Sequence, residues 1–201
     1  MHQSKAITAF DVPPHHPKER HDMTTKTDII GAGTFHAPDP RGVAQAIAVN
    51  NLIKRHGDRA YGRDSDIGHI TASGFIVSPD RTQTLLMLHG KTRCWVQFGG
   101  HCDGDKDVLG VTCKELYEET GTDAFSLVSP NVFDIDIHEI PQFKDIPAHR
   151  HFDIRYLFEM DPDEPVPGNP ESLDIRWVKM DDLEQYSKER SVLVVRDAIR
   201  W

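Results

Sequence analysis

Glu115, Glu118 and Glu119 stand at i, i+3 and i+4 in the run VTCKELYEETG. In a helix that spacing sets three carboxylates on one face, with Cβ atoms about 5–6 Å apart. Anions so close repel one another unless a cation sits among them. A donor set of carboxylate oxygens, without thiolate or imidazole, suits Mg²⁺ or Mn²⁺. The alternative is an acidic helix face turned to solvent.

A second set of residues lies on two strand-like runs. In PAHRHFDIRYLFE, alternation puts His149, His151, Asp153, Arg155 and Glu159 on one face and Phe152, Ile154, Tyr156 and Phe158 on the other. VFDIDIHEIP repeats the pattern, with Asp134, Asp136 and His138 opposite Phe133, Ile135 and Ile137. If the two runs are neighbours, their polar faces combine into one surface of His, Asp and Arg. Three readings stay open. The face could be a hydrogen-bonded polar surface without chemistry. It could recognise substrate, with Arg155 on a phosphate or carboxylate and His138, His149 and His151 on a base or sugar. It could hold a second metal through His149, His151 and Asp153, since His-x-His on a strand is a common zinc or iron pairing. Lys91 and Arg93, just before Trp95, are candidate phosphate contacts, with surface solubility as the alternative. His101, beside the acidic run, reads as a backbone-bonding loop residue rather than a ligand.

The elements that must position these groups are legible in outline. Leu109, Cys113 and Leu116 give the acidic helix an apolar stripe over 107–120, and Gly121 ends it. Val43, Ala46, Ile47, Asn50 and Ile53 recur at helical spacing over 41–57, with Gly57 as a C-terminal cap. HITASGFIV and TLLML flank a Ser78-Pro79-Asp80 turn and predict a hairpin. A short strand near Cys94–Phe98, longer ones over Asn131–Ile140 and Ala148–Met160, a strand LDIRWVKM and a closing helix over Ser191–Arg200 complete the pattern. Strands and helices mix without regular βαβ alternation, so the class is α+β with a mixed sheet. Residues 1–37, with Pro13, Pro14 and Pro17 and little periodicity, read as a flexible or partly packed tail, in which Met23 is an alternative start. The domain proper is then 38–201.

The chain has 201 residues, about one domain. With Lys+Arg 23 against Asp+Glu 32 the formal charge is −9, which leaves no basic surplus for a nucleic-acid backbone. No apolar run approaches the roughly 20 residues needed to cross a bilayer. The first residues carry no apolar core like that of a secretory signal. Three cysteines, none in a CxxC pair, argue against a disulfide scaffold and for a reducing cytoplasm. Cys113 falls on the apolar stripe and Cys102 has no basic partner aimed at it, so no thiol chemistry is expected.

The segment Gly99–Thr122, GGHCDGDKDVLGVTCKELYEETGT, resembles the Nudix box, G-x5-E-x7-R-E-U-x-E-E-x-G-U, where U is a bulky aliphatic residue. Gly100 matches the first glycine, and Glu115, Leu116, Glu118, Glu119 and Gly121 match the second half. Lys106 stands where that family has Glu, Lys114 where it has Arg, and Thr122 at the last U. Two cations cannot brace each other, so Asp105 or Asp107 is the expected partner of Lys114. The resemblance implies a Nudix-type α/β/α sandwich around a mixed sheet, here with an N-terminal helical extension. It also implies hydrolysis of a nucleoside diphosphate derivative or related phosphoanhydride, with Mg²⁺ or Mn²⁺ on Glu115, Glu118 and Glu119. Glu171, in the loop before LDIRWVKM, is the candidate general base, because some members of the family draw theirs from that point. Two rivals share the fold: an isomerase of the isopentenyl-diphosphate type, and a catalytically silent nucleotide sensor. The partner expected is a small phosphoanhydride, with no nucleic acid or membrane, and the N-terminal extension could support a homodimer.

Overall fold

The computed structural model describes residues 25–65 and 67–199. Met23 and the rest of 1–24 lie outside the described residues. The remainder of the expected tail is not flexible chain. Thr25–Ile29 (β1) and Gly33–Ala37 (β2) pair antiparallel, and Ile29, Phe35 and Ala37 are buried. The hairpin turns through Gly31 at φ +75°, a conformation open to glycine at little cost. Its local periodicity is weak because long-range contacts hold it. The Asn50 amide donates to the Asp28 carbonyl at 2.9 Å and accepts from the Ile30 N–H at 3.0 Å. The Val132 N–H donates to the Thr34 carbonyl at 2.8 Å.

Pro40–His56 form α1. Asp39 caps its start by accepting from the Gly42 N–H at 2.8 Å, with Pro40 in the first turn. At its end the Gly57 N–H donates to the Ile53 carbonyl. The buried face keeps Ala46 and Ile53 of the predicted stripe, with Val43 packed against the core, and adds Val49 and Leu52, whereas Ile47 is 52% exposed. Asn50 holds the hairpin instead of packing in the core.

The main sheet has eight strands. Gly68–Val77 (β3) runs parallel to His149–Glu159 (β9) over ten register pairs and lies at the centre. Gln83–His89 (β4) and Ser172–Lys179 (β10) extend the sheet on one side of β3. Trp95–Val96 (β5) adds to β4, and Phe98–His101 (β6) adds to β3. Ser126–Leu127 (β7) and Asp134–Ile140 (β8) pair with β9. All pairs but β3–β9 are antiparallel, so the sheet is mixed, as expected.

Helices cover both faces. Val108–Thr120 (α2) packs on the even-numbered side of β3, where a Cβ on Gly74 would lie 2.8 Å from Leu116 Cδ1. Ile70, Ala72, Ile154, Tyr156 and the buried side of α1 join the core there. On the opposite face, Phe75, Val77 and Leu157 pack with Leu183–Tyr186 (α3) and Arg190–Ile199 (α4). The result is an α/β/α sandwich. No helix among the described residues is long and apolar enough to cross a membrane.

Candidate active site

The acidic face begins with how α2 starts and stops. Asp107 caps it by accepting from the Gly110 N–H at 3.0 Å, and Gly121 closes it in the left-handed conformation at φ +73°. Asp105 accepts from the Asp107 N–H at 2.9 Å. Both aspartates are therefore committed to the loop and the cap, and neither braces Lys114. Lys114 Nζ instead lies 3.8 Å from Glu115 and 3.7 Å from Glu118. Lys106 pairs with Asp58 at 3.0 Å, tying the box to the turn after α1. In the same region the Gly104 N–H donates to the Tyr61 carbonyl at 2.9 Å, so the N-terminal extension braces this loop.

The three glutamates differ in environment. Glu119 is buried and accepts from the Gly99 N–H at 2.8 Å. Burial pushes its carboxyl up to about 8, and the charges bearing on it, Glu115, Glu171 and Glu118, are all negative. Glu115 is half-buried and also raised, foremost by burial. Its carboxylate fills the space where Gly100 lacks a side chain: a Cβ there would meet Glu115 Oε2 at 2.5 Å. Glu118 is exposed, and its contact with the 64%-exposed Lys114 is long and solvent-screened. Two raised carboxylates without a cationic partner for Glu119, on an all-oxygen face with room made by a glycine, fit a hard dication such as Mg²⁺ or Mn²⁺.

Glu171 is exposed, and its charge bears on both Glu115 and Glu119. Its carbonyl accepts from the Gly90 N–H at 2.9 Å, which holds the turn carrying exposed Lys91 and Arg93 beside it. Arg93 is itself left-handed at φ +59°. The structure thus brings Glu171, Lys91 and Arg93 to one edge of the sheet, with Glu171 near the acidic face.

The NUDIX domain family model matches residues 68–200, which takes in the whole sheet from β3, the acidic helix and α4. The chain belongs to the Nudix family. It is 32% identical over 110 residues to the phosphatase NudJ of Escherichia coli K12, covering 53% of this chain and 65% of that protein. The same figures hold for NudJ of Shigella flexneri. The chain therefore spans a little under two thirds of the length of these relatives. A MutT NUDIX hydrolase from Burkholderia pseudomallei superposes with a TM-score of 0.50 at 20% identity, over 67% of this chain and 99% of that one, and shows the shared fold. A NUDIX-family hydrolase from Clostridium perfringens gives a TM-score of 0.49 at 24% identity, over 66% and 96%.

Within this Nudix chain, the polar face of β8 and β9 departs from the expectation of a cleft. Arg155 is 1% exposed and its guanidinium is fully engaged. It donates to Asp153 at 2.7 Å, to Asp134 at 3.0 Å and to the Ser191 carbonyl at 3.0 Å, and lies 3.6 Å from Asp136. Asp153 also accepts from Thr71 at 2.9 Å and Ser73 at 2.8 Å. Arg155 and Asp153 therefore cannot reach a substrate, and Asp153 has no oxygen to spare for a metal. Alternation was read correctly, but β9 is a central strand covered on both sides, so its polar face is a buried ion-pair network rather than a surface.

At the far end of the same face the histidines do meet. Among the described residues, only His69, His149 and His151 bring three potential metal-ligating atoms within 4.8 Å of one another, a closeness that the three glutamates do not reach. His101 lies 5.1 Å from His69 and 4.9 Å from His151, ring centre to ring centre, so it belongs to the cluster and not to a loop. His138 packs 5.4 Å from His151 and bonds to Asp136 at 3.1 Å. Burial, with the crowding of neighbouring imidazoles, lowers His69 to about 4 and His151 to about 2, so both rings are neutral at ordinary pH. His69 escaped the sequence reading although His69, Thr71 and Ser73 alternate with Ile70, Ala72 and Gly74, which was the available signal. All three cysteines are free, and burial pushes Cys102 up to about 12.

Proposed function

We propose that the chain is a metal-dependent pyrophosphohydrolase that cleaves the phosphoanhydride of a nucleoside diphosphate derivative or a similar small molecule. The observation that carries this reading is the Nudix box glutamate set on α2, with Glu119 anchored at Gly99 and Glu115 seated over Gly100. Mg²⁺ or Mn²⁺ bound there would neutralise the diphosphate and lower the pKa of a coordinated water. Glu115, Glu118 and Glu119 would be its ligands, with the Gly99 N–H orienting Glu119. Glu171 is the candidate to take the proton of the attacking water, since its loop borders the acidic face. Lys91 and Arg93, on the turn pinned to Glu171, would contact the outer phosphate. The Escherichia coli relative NudJ is a phosphatase, which agrees with hydrolysis at phosphorus.

The test is a screen of nucleotide sugars, ADP-ribose, dinucleoside polyphosphates and nucleoside triphosphates with Mg²⁺ and with Mn²⁺. Release of phosphate or of a nucleoside monophosphate, lost in E118Q while ligand binding persists, supports the hydrolase. Isomerisation of an allylic diphosphate with no phosphate released would replace it by the isomerase reading. Nucleotide binding without turnover on any diphosphate would replace it by a sensor.

A further inference from the structure

The glutamates account for α2 and β6 but leave the imidazoles on the other side of the sheet without a role. His69, on β3, and His151, on β9, are register partners across the parallel pair, and His149 stands two residues before His151. Parallel pairing of central strands fixes their backbones, so the convergence of the three rings is built into the most rigid part of the fold. His69 is 3% exposed, and neither of its ring nitrogens has a hydrogen-bond partner; the buried Nε2 of His151 has none either. Buried polar atoms left unpaired are destabilising, so a core does not ordinarily retain them without a partner to satisfy them.

The surroundings match what metal-bound imidazoles require. His149 Nδ1 lies 2.9 Å from the Pro147 carbonyl, which can only accept, so that nitrogen carries the proton and Nε2 presents its lone pair. His151 is backed by His138, whose own ring is oriented by Asp136. The Asp153–Thr71–Ser73–Arg155 network lies along the same face and stiffens the floor of the cluster. A cleft of about 490 Å³ opens beside His149, lined among others by Ile67, Glu139 and Arg150.

We propose that His69, His149 and His151 form a metal site, separate from the Nudix glutamates, that takes a borderline transition-metal dication of the zinc class. Neutral imidazole nitrogens suit Zn²⁺, Co²⁺ or Fe²⁺ and are poor ligands for Mg²⁺. Three protein ligands leave a further coordination position, and the ring of His101 lies 5.1 Å from that of His69 and 4.9 Å from that of His151. The site does not depend on the hydrolase reading, because its ligands lie on the opposite face of β3 from α2.

The test uses the full chain without an affinity tag, stripped with chelator and then titrated with Zn²⁺ in saturating Mg²⁺. Stoichiometry is read by equilibrium dialysis with elemental analysis, and Co²⁺ is substituted to give visible d–d absorption. One zinc per chain is expected, at least tenfold weaker in H69Q and in H149Q and still bound at full stoichiometry in E118Q. Zinc should also raise the thermal midpoint of the wild type and not that of H149Q. Should H69Q fail to fold, the half-buried H149Q decides alone. No zinc bound by folded wild type, or binding of equal strength in H149Q, would overturn the site. Equal binding would place the ion elsewhere, for example on His2, His15, His16 or His21 of the N-terminal segment.

Discussion

The buried carboxyl of Glu119 should make the protein without divalent cation lose stability as pH rises. Its pKa of about 8 in the fold, against an ordinary 4.5, corresponds to a burial cost on the order of 5 kcal/mol once the group is ionised. Below pH 4.5 the carboxyl is protonated in both the folded and the unfolded chain and contributes nothing. Between 4.5 and 8 the unfolded chain loses this proton while the fold keeps it, so stability falls; above 8 the whole penalty is present. Glu119→Gln removes the ionisation, and its amide oxygen can still accept from the Gly99 N–H. In chelator, E119Q should therefore match the wild type near pH 4.5 and exceed it by several kcal/mol at pH 9, while losing turnover. Urea unfolding of both proteins at pH 5, 7 and 9 measures the difference directly. Adding Mg²⁺ or Mn²⁺ at pH 9 should stabilise the wild type and leave E119Q unmoved. A gap between the two proteins that stays within about 1 kcal/mol from pH 5 to 9 would refute the argument, because it would mean that the Glu119 charge is not paying a desolvation cost.

Three other substitutions separate architecture from chemistry. Gly100→Ala puts a Cβ where the Glu115 carboxylate now sits, so turnover should fall about a hundredfold or more with a small stability change, read by kinetics beside a urea midpoint. Arg155→Met leaves Asp134, Asp136 and Asp153 buried without their cation and should cost about 3–5 kcal/mol. If Arg155 instead held substrate, KM would rise at unchanged stability. Phe35→Ala, in the hairpin first read as part of a tail, should cost about 3–5 kcal/mol in chemical denaturation, whereas a residue in a mobile tail would cost nothing.

What was legible in the chain follows from how local the signal is. The acidic helix, its cap residue Asp107 and its closing Gly121 lie within fifteen consecutive residues, and the helical period alone puts the three glutamates together. The two-faced character of β9 was equally plain from alternation. What covers each face was not, because it depends on the parallel pairing of β3 with β9, two segments about eighty residues apart in sequence, and on the placing of α4. The same non-local pairing hid His69, which gains meaning only when it meets His149 and His151. Lys114 shows another limit: Asp105 and Asp107 were the nearest counter-charges in sequence, but loop and cap hydrogen bonds had already taken both. The β1–β2 hairpin is hidden in the sequence because Asn50 and Val132, distant from its residues along the chain, supply its hold.

β6 lies between the two candidate sites. Gly100 pairs opposite Ala72 and turns toward α2, where it makes room for Glu115; His101 pairs opposite Thr71 and turns the other way, toward His69. Between Phe98 and Gly100, the Gly99 N–H is the one hydrogen bond that holds Glu119. A side chain at 99 would run into Ser73 and the Ala72 carbonyl, so the strand can lie this close to β3 only because position 99 is glycine. Any movement of these four residues that reseats Glu119 must also move His101, since adjacent residues of one paired strand cannot shift independently. Should both faces bind metal, β6 offers a mechanical link between them, and by linkage an effect of one on the other must be matched in reverse. Zinc affinity measured with and without Mn²⁺, in wild type and in E118Q, reads that coupling: a ratio above one in the wild type that collapses to one in E118Q is the expected result, and equal affinities throughout would show the two faces to be independent.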